Sequence, residues 1–435
     1  MLKGKKAAVL GFGMEGKDLT NYLLGQGAKV FVFDKKEKRE LDFEGVAKDK
    51  LTVVCGRGYL RNGLGGFDYI FRSPGVYRYL PEILEAEGRG VKISSAINLF
   101  FEKCPAKIIG VTGTKGKGTT STLIYEILKE AGKDVYLAGN IGKAYLELLP
   151  RLKKESLVVL ELSSFQLIDM EVSPHIAVVL NITQDHLDWH KDLNEYINSK
   201  KNIVRFQNAN DFTVVNSDYE TPKSFAKEAR GKVIFFSKTL AKKYKGKLLL
   251  RGEHNLENAA GAIAVSNILK IRKEFVAKIL STFKGLEHRL ELVGEIGGVK
   301  FYNDSFATGP QSTIAAINSF SEPLTIILGG YDKGLDYREL IDVITNKKNV
   351  ENIILIGNLA QNFGYKLSEG KYKGDISNMG KESMSKIVDK GFSSTPKGGV
   401  VLLSPAAASF DMFHDYKERG KKFKEAVKLL LHGEQ

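Results

Sequence analysis

The chain has 435 residues, 43% of them hydrophobic and 27% charged, with 65 Lys+Arg against 51 Asp+Glu and a formal net charge of +14. That length exceeds what one hydrophobic core serves, so two or three globular domains are expected, and no run approaches the ~18 apolar residues of a membrane-spanning helix. The lysines are scattered rather than gathered into one arm, which favours a nucleotide or a phosphorylated precursor over nucleic acid. Two cysteines, Cys55 and Cys104, exclude a disulfide framework or a zinc cluster, and a start without a signal-peptide pattern points to the cytoplasm.

Lys6 to Leu10 reads as a buried strand, and Gly11-Phe12-Gly13-Met14-Glu15-Gly16 then fits G-x-G-x-x-G opening a helix through Leu24. A second strand, Ala28 to Phe33, ends at Asp34, the acidic position that meets a ribose hydroxyl in a dinucleotide fold. Phe67 to Val76 is a further strand closed by the turn Ser73-Pro74-Gly75. This part is expected to be a Rossmann-like nucleotide domain. A nicotinamide oxidoreductase is an alternative that rests on residues 11 to 34 alone. In such an enzyme the next domain would carry a His or Lys acid-base pair, whereas a phosphate loop stands there.

That loop follows the apolar run Lys107 to Val111: Thr112-Gly113-Thr114-Lys115-Gly116-Lys117-Gly118-Thr119-Thr120, with helical spacing continuing to Leu128. Strand, glycine loop and helix suit phosphate because the backbone N–H groups turn inward, the helix N-terminus adds partial positive charge, and Lys117 reaches the terminal phosphates. ATP or GTP is the expected ligand. Downstream, Glu161 ends the strand Leu157 to Leu160, where a carboxylate beside a phosphate loop holds magnesium. Ile176 to Thr183 is one more buried strand, delivering His186 to the strand end at which open α/β sheets bind ligands. Glu161 and His186 are expected at neighbouring strand tips, converging on a cation beside the loop.

The short loop T-G-T-x-G-K, Gly139 to Gly142 (G-N-I-G), Leu160 to Leu167 (L-E-L-S-S-F-Q-L), Asn181 to Asp188 (N-I-T-x-D-H-L-D), Tyr196 followed by Lys200, Gly252 to Asn258 (G-x-H-N-x-x-N), Gly285 to Arg289 (G-L-x-H-R) and Asn303 to Thr308 (N-D-S-x-A-T) occur in this order. Over nearly the whole chain they resemble the Mur ligases, and among them those that add glutamate. The resemblance implies an α/β protein of three domains: a Rossmann-like N-terminal domain binding UDP (1–98), a central P-loop mononucleotide-binding domain for ATP (99–287) and a Rossmann-like C-terminal domain binding the amino acid (288–435).

It also implies site residues. Lys117, Glu161, His186 and Lys200 would be catalytic, with Lys200 carbamylated and two magnesium ions held by Glu161, His186 and Thr119. ATP would meet Gly113, Thr114, Lys115, Gly116, Lys117, Gly118, Thr119, Asn255, Asn258, Arg289 and Asp304. The uridine substrate would meet Gly13, Met14, Glu15, Gly16, Asp34, Lys35, Ser73 and Gly75, with Asn140, Ser163 and Gln166 on its muramoyl-peptide side. The incoming amino acid would meet Thr308, Lys333, Ser409, Phe410 and Tyr416. Taken alone, Lys200 reads as a solvated helix lysine beside Lys201, and Tyr416 equally as a core aromatic.

Two positions depart from the family pattern: Gly118 stands where many Mur ligases have Ser or Thr, as in folylpolyglutamate synthases, and Phe306 replaces a lysine. The implied activity is ATP-dependent addition of glutamate to UDP-N-acetylmuramoyl-L-alanine in peptidoglycan precursor synthesis, through an acyl phosphate, by a cytoplasmic monomer whose domains close around the substrates. A folylpolyglutamate synthase-like ligase, ligation of L-Glu or another amino acid, and a non-catalytic nucleotide-binding protein are the alternatives.

Overall fold

The computed structural model describes residues 2–140, 144–250 and 252–433, so Ile141 and Gly142 of the G-N-I-G stretch lie outside the described residues. Three sheets are distributed over two compact bodies, one of residues 1–243 with 256–279, the other of 244–255 with 280–435.

In the first body, β1 (Lys6–Leu10), β2 (Lys29–Asp34), β3 (Leu51–Cys55), β4 (Tyr69–Arg72) and β5 (Lys92–Ser95) form a parallel sheet in the order β3-β2-β1-β4-β5. Helices α1 (Met14–Gly25), α2 (Pro81–Gly88) and α3 (Ala96–Lys103) cover it. Ala7 to Leu10 are wholly buried, the continuous apolar reading of a central parallel strand.

The second sheet contains β6 (Lys107–Thr112), β7 (Val135–Gly139), β8 (Leu157–Glu161), β9 (Ile176–Val179), β10 (Phe212–Asn216) and β11 (Lys232–Phe236), ordered β11-β10-β9-β6-β8-β7 and parallel throughout. Its helices include α4 (Lys117–Glu130), the short α5 (Ser164–Leu167), α6 (Leu193–Arg205) and α7 (Glu220–Phe225), followed by α8 (Glu253–Ile268) and α9 (Lys273–Thr282). β6 lies between β8 and β9, with Val111 opposite Glu161 and Thr112 opposite Val179. Contrary to the expectation from the sequence, the strand carrying Glu161 and the one leading to His186 are not neighbours; they flank the phosphate-loop strand on its two sides.

One apolar cluster runs through both sheets, including Val9, Val32 and Phe71 of the first and Val158, Leu160 and Val179 of the second. Polar ties cross the same junction. Arg72, at the end of β4, is wholly buried and paired with Asp169, and it also donates to the carbonyls of Ser73 (3.1 Å) and Phe165 (2.5 Å).

In the second body, β12 (Glu291–Ile296), β13 (Val299–Asn303), β14 (Leu324–Gly329), β15 (Val350–Ile356), β16 (Asp375–Gly380) and β17 (Val400–Leu403) are ordered β12-β13-β17-β14-β15-β16, with β12 antiparallel to β13 and the other pairings parallel. Helices α10 (Pro310–Ile317), α11 (Arg338–Asn346), α12 (Ala360–Glu369), α13 (Met384–Ser394) and α14 (Tyr416–Gly433) cover its two apolar faces. Among the described residues no helix is long and apolar enough to cross a membrane.

Candidate active site

The loop between β6 and α4 is shaped by what glycine permits. Gly116 caps α4 at φ 85°, and a Cβ there would stand 2.1 Å from Asn258 Oδ1; at Gly113 a Cβ would stand 2.8 Å from Leu180 Cβ. Thr114 fixes the loop from below. Its N–H donates to the Asn181 carbonyl (2.7 Å), and its hydroxyl sits 2.8 Å from the Tyr196 hydroxyl while receiving the Thr183 N–H (2.9 Å). Lys115 is exposed, and Gly118 and Thr119 occupy the first turn of α4 with the dipole's positive end.

Two cations converge on this loop. Lys117 Nζ donates to the carbonyls of Gly113 and Thr114, both at 2.9 Å, and Lys200 Nζ donates to the same Gly113 carbonyl at 3.1 Å. Lys200 reaches it from α6, where it is 1% exposed, with its ammonium 4.7 Å from the Tyr196 ring centre. Burial holds its pKa well below the ordinary lysine value and Lys117 adds to that, while Asp185 and Glu161 oppose it. Lys201 turns elsewhere, to an ion pair with Glu228 at 2.7 Å. The geometry thus separates two lysines that the sequence alone leaves side by side.

Glu161 is buried at the tip of β8. His186 is half-exposed, in the left-handed region at φ 54°, with its ring 4.8 Å from that of Phe165. Burial lowers its pKa despite the neighbouring Asp185, so at neutral pH the imidazole is uncharged, the form that ligates metals. Asp185, to which the sequence reading gave no role, lies 3.8 Å from both His186 Nε2 and Lys115 Nζ. Among the described residues no three His, Cys, Asp or Glu side chains gather into a metal cluster. A buried carboxylate, a neutral imidazole and the Thr119 hydroxyl beside a phosphate cradle fit a magnesium ion that draws its other ligands from phosphate and water.

The N-terminal glycine loop is equally tight: a Cβ at Gly16 would stand 2.0 Å from the Gly11 carbonyl. Gly13, Met14 and Lys35 are exposed, and Gly75 faces open space. Three other expected contacts are engaged internally. Asp34 accepts the backbone N–H groups of Phe12 (2.7 Å) and Lys36 (2.9 Å), one on each carboxylate oxygen, so that a carboxylate at a strand end satisfies the turn it faces. Ser73 donates to the Gly11 carbonyl (2.8 Å). Glu15 turns away from the loop to accept from Tyr145 and from Gln166 Nε2 (2.5 Å), and its burial raises its pKa.

Gln166, buried and bonded to Glu15, is a bridge between the sheets rather than part of an open wall. Ser163 caps α5 and holds the Gln166 carboxamide at 3.0 Å, and Asn140 is exposed. Asn258 packs on the phosphate loop, with the Thr120 hydroxyl 3.4 Å from its Oδ1.

In the second body, Asn255 is buried. Arg289 lies flat on Phe306, 3.8 Å from the ring centre, and Tyr416 meets Phe306 edge-on at 5.1 Å. The Phe306 ring therefore carries a guanidinium on its face. Asp304 points inward, accepting from Ser404 (2.8 Å) and from the Leu290 N–H (3.2 Å), and burial pushes its pKa up to about 7. Thr308 is half-buried, Lys333 and Phe410 are exposed, and Ser409 is buried.

A glycine loop entering a helix, with a buried carboxylate at the tip of one adjoining strand, a histidine in the loop after the other and two lysines converging on it, suits nucleotide-dependent phosphoryl transfer by a protein of the α/β class. Family models match in chain order: Mur ligase MurD-like, N-terminal domain at residues 5–95; Mur ligase middle domain at 111–246; and Mur ligase, glutamate ligase domain at 288–407. The chain belongs to the Mur ligase family.

A relative from Acetivibrio thermocellus, named UDP-N-acetylmuramoylalanine--D-glutamate ligase, is 42% identical over 457 residues, covering 98% of this chain and 97% of its own. One of the same name from Ruminiclostridium cellulolyticum is 39% identical, covering 99% and 97%. The crystal structure of UDP-N-acetylmuramate-alanine ligase from Thermotoga maritima shares the fold with a TM-score of 0.59 at 18% identity, covering 98% of this chain and all of that one. The match of the first sheet to a Mur ligase N-terminal model leaves no place for the nicotinamide-oxidoreductase reading.

Proposed function

We propose that this chain is an ATP-dependent ligase that joins D-glutamate to UDP-N-acetylmuramoyl-L-alanine, a step of peptidoglycan precursor synthesis. The relatives carrying that name over nearly their full length support the substrates. The observation that carries the chemistry is the meeting of Lys117 and Lys200 at the Gly113 carbonyl, with the buried Glu161 at the tip of the adjoining strand, opposite Val111.

The γ-phosphoryl group would pass from ATP to the alanine carboxylate; the acyl phosphate would then be attacked by the glutamate amine, and the tetrahedral intermediate would collapse to amide and phosphate. Magnesium, when bound, neutralises charge on the phosphates. Glu161, His186 and Thr119 would hold it. Lys117 and the N–H groups of residues 113–119 would grip the β- and γ-phosphates, so the protein's part is positioning and electrostatic stabilisation.

The depressed pKa of Lys200 supports its carbamylation, since only the neutral amine attacks carbon dioxide, forming the N–C bond and losing a proton. A carbamate resonance from 13C-labelled bicarbonate, lost in Lys200→Met, tests that. The enzyme is read as cytoplasmic and monomeric.

Release of ADP and phosphate is to be measured with UDP-N-acetylmuramoyl-L-alanine and a panel of D- and L-amino acids. Turnover with D-glutamate is expected; turnover only with L-glutamate or a different amino acid overturns the donor assignment, and folate-dependent turnover overturns the acceptor. Lys117→Ala should abolish phosphoryl transfer while retaining uridine-nucleotide binding.

A further inference from the structure

Arg419 stands in the first turn of α14, where a cation opposes the helix dipole, and it is buried deeply enough that its pKa falls to about 10. Both circumstances cost stability, and an apolar side chain in the same place would avoid them. What the guanidinium provides instead is a fork of donors reaching separate chain segments. Nε donates to Ser305 Oγ (3.0 Å), Nη2 to the Ser305 carbonyl (2.8 Å), and Nη1 to the carbonyls of Ala407 (3.1 Å) and Ala408 (3.3 Å).

Those contacts propagate. The Ser305 hydroxyl donates to the Tyr416 carbonyl at 2.8 Å, and the Ala408 carbonyl also receives the Tyr331 N–H at 2.9 Å. Gly330, next to Tyr331, packs so closely that a Cβ would stand 3.3 Å from Arg419 Nη1 and 2.3 Å from the Ala408 carbonyl. The segments bonded to the guanidinium, and the Gly330 segment held to them through the Ala408 carbonyl, each adjoin a residue expected to meet the amino acid: Thr308 after Ser305, Lys333 after Gly330, Ser409 and Phe410 after Ala408, and Tyr416 at the start of α14.

We propose that Arg419 is the positioning residue of the amino-acid subsite, one guanidinium setting the mutual spacing of the four segments that present Thr308, Lys333, Ser409 with Phe410, and Tyr416. It touches no substrate and acts through carbonyls and one hydroxyl. The inference rests on the amino-acid transfer proposed above and adds the residue that builds its binding site.

The test is steady-state kinetics of Arg419→Ala and Arg419→Lys, each substrate varied in turn, beside Phe423→Ala, which hollows the core under the same helix. Misplacing a binding group by about 1 Å costs up to ~100-fold, so the amino-acid KM is expected to rise about tenfold or more, with the KM for the uridine substrate within about twofold of wild type and that for ATP, whose expected contact Asp304 precedes Ser305, rising less than the amino-acid KM. Guanidinium ion is expected to restore Arg419→Ala toward wild type. Arg419→Lys, with one point of donation in place of a fork, shows the same KM rise and is the variant to read if Arg419→Ala does not fold. Phe423→Ala lowers the melting temperature without that split.

An unchanged amino-acid KM, a parallel rise in all three KM values, or the same split in Phe423→Ala overturns the proposal. Wild-type turnover separates the two claims: if it uses another amino acid, only the donor assignment falls and that amino acid's KM becomes the readout, whereas a wild type that transfers none overturns both.

Discussion

Lys200 is where opposing demands on a single side chain meet. A lysine taken out of water loses its proton more readily, and Lys117, donating to the same carbonyl, pushes in the same direction. Nothing about packing requires an amine there: methionine has nearly the same length, and replacing a buried ionisable group by an apolar one is often neutral or stabilising. Lys200→Met is therefore expected to keep or raise the melting temperature while lowering ADP formation by about 100-fold, the scale of one electrostatic group in phosphoryl or acyl transfer. Calorimetry beside a coupled ADP assay decides it, and retained turnover would leave Lys200 a packing residue. Phe306 makes a related point. The Arg289 guanidinium over its ring places positive charge beside a side chain that cannot itself carry any.

At the scale of the element, the phosphate loop works because its glycines have no side chain where Asn258 and Leu180 press in. Gly116→Ala forces a Cβ against Asn258 Oδ1 and places alanine at φ 85°, together costing about 1–3 kcal/mol of strain that the loop would relieve by shifting. The KM for ATP should rise about tenfold or more in nucleotide titrations, and adding Asn258→Ala should recover part of it by removing the clash but not the dihedral strain. A KM that stays put would show that the loop tolerates the change. The glycine loop and the strand-end place of Glu161 are legible in the sequence because they are local, glycines and a lysine at a strand-helix junction and a carboxylate closing an apolar run, whereas His186 stands in the loop beyond the end of β9 at Val179 rather than at a strand tip. Arg72, Arg419 and Asp185 are not legible there, because a buried arginine is explained by partners far along the chain. Arg72 meets Asp169 across 97 positions, and Arg419 meets Ser305 across 114. At Asp34 the strand-end position gives the expected substrate contact, and the folded loop adds two backbone donors that the sequence does not show.

At the scale of the whole molecule, ionisable groups withdrawn from water govern both cohesion and pH response. Arg72 and Asp169 are buried where the first two sheets share a core; Arg72→Met would leave Asp169 with Arg78, at 3.0 Å, as its remaining ion-pair partner among the described residues. Removing one partner of a buried pair costs about 3–5 kcal/mol, so a fall in denaturation midpoint is expected, partly recovered by Arg72→Met with Asp169→Leu. An unchanged midpoint would mean that the pair contributes nothing. The pH response follows from Asp304 and Asp18, whose carboxyls burial raises to about 7 and about 6 from the ordinary 3.8. A folded state with the higher pKa binds the proton more tightly than the unfolded chain. The stabilisation is therefore complete below about pH 4 and is lost as pH rises through about 6 for Asp18 and about 7 for Asp304, each contributing a slope of at most about 1.4 kcal/mol per pH unit. Asp336, held down to about 2 by Arg338, acts in the opposite sense, but below that window. Asp304→Asn keeps an oxygen to accept from Ser404 and removes the titration. Urea unfolding across pH 4 to 8 should accordingly give a flatter decline for the variant than for the wild type, and an identical slope in the two would show that the Asp304 carboxyl titrates where an exposed one does.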